Sequence, residues 1–329
     1  MKTINQGNEK EILRLQREIS HWEKRYEKLQ QIFRMQEEII ASYEAAYGEA
    51  PGLIEEEKET NNSHSFFDMM EKRSYNRFNY EQKAAITYNM EKNLRIIAGA
   101  GSGKTQTICA KAVYLMTENQ VDEQRILMIT FTRNAANELK KRVDNFSQRK
   151  TNVHIGTFHS IFFRLYNDIC RQFPEVVTEG IQGEFSKETS YKVSGLIQQL
   201  IRKYNLYAFD QYGEKNLAAR LDYWQNMNLS IEETRVLIKE NFDFIEPNAT
   251  MPISERMTHF MRELQAQKKE QHLFEFNDVL SNLKQALQNE EIRNFVGQKY
   301  DYLFIDEFQD TNPLQWEIVR LITKETPMK

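Results

Sequence analysis

Cysteine, an excess of basic charge and long apolar runs are all scarce in this sequence. Cys109 and Cys170 are the two cysteines in 329 residues, and they form no Cys-x-x-Cys pair. That argues against a disulfide framework and against a thiolate zinc site. No apolar run approaches the roughly 20 residues of a membrane-spanning helix, and the polar N-terminus lacks the apolar segment of a signal peptide. A cytoplasmic protein without membrane contact is therefore expected. The formal net charge of −4 gives no compositional support for nucleic-acid binding, although a local basic groove remains compatible with it. What is present, 40% apolar and 28% charged residues, suits a soluble and largely helical chain with room for two or three compact units.

The strongest periodicity lies near the start. Ile12, Leu15, Ile19, Trp22, Tyr26, Leu29, Phe33, Gln36, Ile40, Tyr43 and Tyr47 alternate steps of three and four residues. This is the seam of a coiled coil sustained for about five heptads. Residues 1–52 are thus expected to form a long helix that pairs with a second copy or with another protein's helix. A single amphipathic helix lying on its own domain is the alternative. Gly48, Pro51 and Gly52 end it. Residues 53–75, acidic and then polar, read as a solvated linker.

Beyond the linker, an apolar run at Leu94–Ile97, expected as a buried strand, leads into Ala98-Gly99-Ala100-Gly101-Ser102-Gly103-Lys104-Thr105 and then a helical stretch. A strand, a glycine-rich turn and a helix N-terminus together cradle phosphate, because glycines let backbone N–H groups converge on an anion and the helix end adds positive charge. In such a cradle Lys104 would reach the outer phosphates and the Thr105 hydroxyl would ligate Mg²⁺. A glycine-rich turn that binds nothing is the bland alternative, and Ala98 stands where the usual pattern starts with glycine.

Strand-length runs at Arg125–Thr130 and Val153–Thr157, each followed by a helical stretch, give the alternation of a parallel sheet covered on both faces. Loops at the C-terminal ends of such strands are where these sheets bind ligands. Between about residues 167 and 272 the pattern is helical: Val193, Leu196, Ile197, Leu200, Ile201 and Tyr204 share one face, and Met257, Phe260, Met261 and Leu264 another. Phe276, Val279, Leu280, Leu283 and Leu287 then mark one more helix. Finally Tyr302–Ile305 reads as a buried strand with Asp306 and Glu307 at its end. Paired acids there suit metal-assisted phosphate chemistry, the first holding Mg²⁺ and the second polarising a water. A helix cap is the structural alternative.

The cradle AGAGSGKT, the loop TFTRNAANEL, the segment GTFHS and the strand end FIDEFQDTN occur in that order. In this the chain resembles the N-terminal half of superfamily 1 DNA helicases of the UvrD/Rep/PcrA type, over about residues 76–325. The resemblance implies an α/β fold: a RecA-like P-loop domain (residues 76–166 and 273–329) with a parallel sheet and an all-α insertion (167–272); the coiled-coil helix ahead of them lies outside the match. It implies that Gln82 bonds the adenine edge of ATP, and that Gln106 occupies a nucleotide-contact position usually held by arginine. It further implies that Asp306 holds Mg²⁺, that Glu307 is the catalytic base and that Gln309 lies near the γ-phosphate. Phe131 and Thr132, and Thr157, Phe158 and His159, match loops that contact single-stranded DNA. Another departure is Thr132-Arg133-Asn134, which moves a basic side chain by one place. The implied activity is ATP-driven 3′-to-5′ translocation on DNA, poor in this chain alone because a second RecA-like domain would have to come from elsewhere, such as another polypeptide. The alternative is a catalytically dormant nucleotide-binding interaction module tethered by its coiled coil.

Overall fold

The computed structural model of the protein describes residues 61–74, 77–89, 93–99, 101–175, 187–207, 217–242 and 250–323. The expected coiled coil at 1–52 and Ala100 of the cradle lie outside these residues. The first described helix, α1 (Asn61–Ser74), corrects the expectation of a linker through residue 75. It buries Phe66, Phe67 and Met70 at 3% exposure or less. Such apolar area cannot stay solvated cheaply, since burying one large side chain contributes about 1.5–3 kcal/mol.

Two helices follow: α2 (Tyr80–Thr87), started by a capping box between Asn79 and Gln82, and α3 (Lys104–Thr117). The apolar run Leu94–Ile97, expected as a strand, joins no ladder, and Ile97 is 80% exposed. Four apolar residues make a strand only when a neighbour satisfies their backbone groups. Among the described residues the sheet therefore has three strands, β1 (Ile126–Thr130), β2 (His154–Thr157) and β3 (Tyr302–Ile305), in the order β2-β1-β3. All pairings are parallel, with Leu127 beside His154 and Leu303. Helix α4 (Arg133–Ser147) connects β1 to β2, and α5 (Phe158–Gln172) leaves β2.

Strand β1 is buried along its whole length, and its alternating side chains feed two cores. Ile126 and Met128 pack with Phe304, Cys109 and Val113 of α3, Leu139 and Val143 of α4, and the phenylalanines of α1. Leu127 and Ile129 face the other way, onto α5, α10 (Phe276–Ala286), α11 (Glu290–Gly297) and α12 (Pro313–Thr323). Central parallel strands covered on both faces read as continuous apolar runs for this reason. Cys109 is a small buried hydrophobe, and burial pushes its thiol up to about 12, leaving no thiolate to react at neutral pH.

A third core is built by α6 (Lys187–Lys203), α7 (Leu217–Asn226), α8 (Ile231–Phe242) and α9 (Ile253–Glu270). Val193, Leu200, Ile201, Met257 and Phe260 are buried there, together with Trp224. The expected boundary at residue 167 falls inside α5, whose Ile169 still belongs to the sheet's core. Polar contacts join the helical layer to the sheet layer. Asn277 Nδ2 donates to Asp222 at 2.5 Å, Asn312 Nδ2 to Asn226 at 3.0 Å and Lys284 Nζ to Asn228 at 2.7 Å. No helix among the described residues is long and apolar enough to cross a membrane.

Candidate nucleotide site and strand-facing loops

The cradle is shaped by backbone that only glycine adopts freely. Gly101 and Gly103 have φ of +76° and +84°. A Cβ on Gly103 would lie 2.8 Å from Gln82 Nε2, so a side chain there would be strained and would also collide with α2. Gly103 starts α3 with no side-chain cap, leaving the first N–H groups of that helix without a side-chain acceptor from their cap residue. Lys104 Nζ bends back to donate to the carbonyls of Ala98 at 2.8 Å and Gly99 at 2.9 Å. Gln82 uses both ends of its amide. Its Oε1 accepts from Asn79 N at 2.9 Å, and its Nε2 donates to the carbonyl of Ser102 at 2.8 Å. Gln106 lies in the first turn of α3.

The acids at the end of β3 meet this loop from the other side. Asp306 is 8% exposed, and its backbone N–H donates to Ile129 of β1 at 2.9 Å. Its carboxyl is held above the usual carboxylate range by burial and by the neighbouring charge of Glu307, against a hydrogen bond from Thr105 and the charge of Lys104. Glu307 is exposed and takes a left-handed conformation (φ +54°, ψ +49°), which is uncommon for a residue with a Cβ. Gln309 Nε2 donates to the Glu307 carboxylate. Gln82, the described cradle residues, Asp306, Glu307 and Gln309, which are far apart in sequence, therefore gather at the C-terminal end of the sheet.

These residues suit a magnesium–nucleotide pair. Asp306 is a buried carboxylate with a carboxylate neighbour, an arrangement that a divalent cation would relieve. The hydroxyl oxygens of Thr130, at the end of β1 beside β3, and of Thr311 are buried with no partner among the described residues.

The loops that follow β1 and β2 are arranged differently. Thr132 Oγ1 accepts from Ala135 N at 3.1 Å and caps α4, and Thr157 caps α5 through a box with Ser160. Phe131 is half-buried, edge-on to Phe158 with centroids 5.6 Å apart. Phe158 itself is 1% exposed, between Phe131 and Phe162. This corrects its expected role, because a ring so enclosed supports the loop and cannot stack on a base. His159 is exposed and lies flat on Phe276, with centroids 3.8 Å apart and planes 19° apart. Desolvation, then the charge of Arg133, holds its imidazole below the ordinary range, with Asp222 opposing. In the sequence Phe276 shows only as part of a helix's apolar face. Its position as the first residue of α10 was the available signal that it stands at the rim.

A family model described as the UvrD/REP helicase N-terminal domain matches residues 78–328. The chain belongs to the UvrD/REP helicase family. It is 29% identical over 249 residues to a probable DNA helicase II homolog of Mycoplasma capricolum, covering 75% of this chain and 32% of that protein. It is 28% identical over 252 residues to the ATP-dependent DNA helicase PcrA of Staphylococcus aureus (76% and 32%) and 27% over 249 residues to Rep of Buchnera aphidicola (74% and 35%). The helicase chain thus spans about a third of the length of these three relatives. Its match begins at Phe78, at the entry to α2, and takes in the cradle, the helical layer and the Asp306–Glu307 corner.

Proposed function

We propose that this chain is the first motor half of an ATP-driven 3′-to-5′ translocase on single-stranded DNA, with ATP and Mg²⁺ bound at the cradle. The convergence of Lys104, Thr105 and Gln82 with Asp306 carries this reading. Lys104 would exchange the Ala98 and Gly99 carbonyls for phosphate oxygens, and Gln82 would turn its amide from Ser102 to the adenine edge. Thr105 and Asp306 would hold Mg²⁺, which when bound neutralises charge building on the phosphates. Glu307, kept in place by Gln309, would take the proton of the attacking water. On the strand side, Thr132 and Thr157 mark helix N-termini suited to DNA phosphates, and the His159–Phe276 pair offers an aromatic face for a base.

In domain terms, residues 76–172 and 273–329 would form one RecA-like domain and 173–272 its helical insertion, with residues 1–52 pairing as a coiled coil. ATP hydrolysis with and without single-stranded DNA tests the reading, comparing this chain with one extended by a second RecA-like domain. DNA-stimulated hydrolysis in the extended form, lost on Lys104→Ala, is expected. Equal inertness of both forms would favour the dormant-module reading.

A further inference from the structure

Gln82 sits at one end of α2, and the other end of that short helix is held by a lysine of α3. Lys111 lies about two turns beyond Lys104 on the same helix and is 1% exposed. Its ammonium donates to the carbonyl of Ile86 at 3.0 Å and of Tyr88 at 2.7 Å. These are terminal carbonyls of α2, at the negative end of the helix dipole and without partners inside the helix. Burial lowers the lysine to about 8, so keeping a cation here costs free energy that a methionine of similar volume would not. What the lysine gains is a fixed relation between two helices.

That relation matters because α2 is only eight residues long and meets the cradle at its N-terminal end through Gln82 and Ser102. Once the Gln82 amide turns to a base, its bond to Ser102 opens. The Lys111 contacts then remain as a polar tether between α2 and the helix that carries Lys104 and Thr105. We infer that Lys111 is a positioning residue for base recognition, holding α2 at the height on α3 from which Gln82 can read the base of a nucleotide bound in the cradle. The inference rests on the adenine reading of Gln82.

The test uses the full 329-residue chain and displacement of a ribose-labelled fluorescent ATP analogue by ATP and by GTP. Wild type, Gln82→Ala, Lys111→Met, Lys111→Gln and Lys111→Arg are compared, each with its melting temperature. Gln82→Ala and Lys111→Met are each expected to lower the preference for ATP over GTP about tenfold, the worth of one well-made hydrogen bond. GTP affinity should barely move, and Lys111→Arg, which keeps a cation and its donors, should retain the preference. If Lys111→Met fails to fold, Lys111→Gln carries the same comparison. Parallel weakening of ATP and GTP with the preference intact would reduce Lys111 to a structural lysine and overturn the proposal. If Gln82→Ala removes the preference and the Lys111 variants do not, only the proposal falls. If Gln82→Ala has no effect, the adenine reading fails and takes the proposal with it.

Discussion

At the glycine-rich loop the contacts run through the backbone, whereas at the loops after β1 and β2 they run through side chains. Lys104 and Gln82 both bond to carbonyls of the loop they serve, and the loop's shape depends on Gly101 and Gly103. At the loops after β1 and β2, Thr132 and Thr157 are engaged as helix caps and Phe158 is in the core, which leaves the exposed His159 stacked on the half-buried Phe276. Backbone sites depend on a short contiguous stretch. Stacking sites depend on which side chains the tertiary fold leaves uncovered.

The largest effect that could break this contrast is on stability. Phe158→Ala should cost about 3–5 kcal/mol, as for other buried phenylalanines, read as a fall in denaturant midpoint. Single-stranded-DNA affinity measured well below that midpoint should change little. A selective loss of DNA binding without destabilisation would return Phe158 to the role of base platform. Phe276→Ala should do the reverse, weakening binding of a labelled oligonucleotide by about 1–3 kcal/mol, the range for one base–aromatic stack, while nucleotide binding stays as it was. An unchanged oligonucleotide affinity would remove the stacked pair from the interface.

Asp306 sharpens the comparison through pH. Its carboxyl is raised in the folded chain, so the folded state binds more protons than the unfolded state between the ordinary and the raised value. Stability of the metal-free chain should therefore fall as pH rises through that window, and Asp306→Asn should flatten the trend and raise the melting temperature. Thermal scans without Mg²⁺ from pH 4 to 7 read this, and a wild-type slope of the opposite sign would contradict it. The smallest effect concerns the seam between the layers. Asn226→Ala removes the acceptor of Asn312 Nδ2 and should cost about 1 kcal/mol, seen in chemical denaturation; no change would make that hydrogen bond incidental.

The contrast also explains what was legible in the sequence. Strand Tyr302–Ile305 and the helical faces of Val193–Ile201 and Met257–Leu264 fold where their patterns place them, because burial and periodicity are local signals. The Leu94–Ile97 run was misread because strand formation depends on a neighbour, and neighbours are not written in four residues. Phe66, Phe67 and Met70 were hidden behind the acidic stretch before them, so their helix was taken for linker. At the candidate site, Lys104 and Thr105 lie beside Asp306, placed there by glycine spacing and a strand end. Phe158 is enclosed while Phe276 stands half-buried beside His159, and two phenylalanines in sequence carry no mark of which one is covered. Lys111 was illegible for the same reason: a lysine on a helix reads as solvated until the carbonyls of Ile86 and Tyr88 are seen beside it.

The central claim is that Gln82, Lys104, Thr105 and Asp306 form one site for a magnesium–nucleotide. Titration of a fluorescent ATP analogue into the chain, with and without Mg²⁺, tests it directly against Lys104→Ala and Asp306→Asn. Saturable binding strengthened by Mg²⁺ is expected, with Lys104→Ala weakening it by about 1.5–3 kcal/mol, the range for hydrogen bonds to a charged group. Asp306→Asn should abolish the Mg²⁺ effect while leaving metal-free binding in place. Binding that ignores Mg²⁺ and is the same in all three proteins would contradict the account.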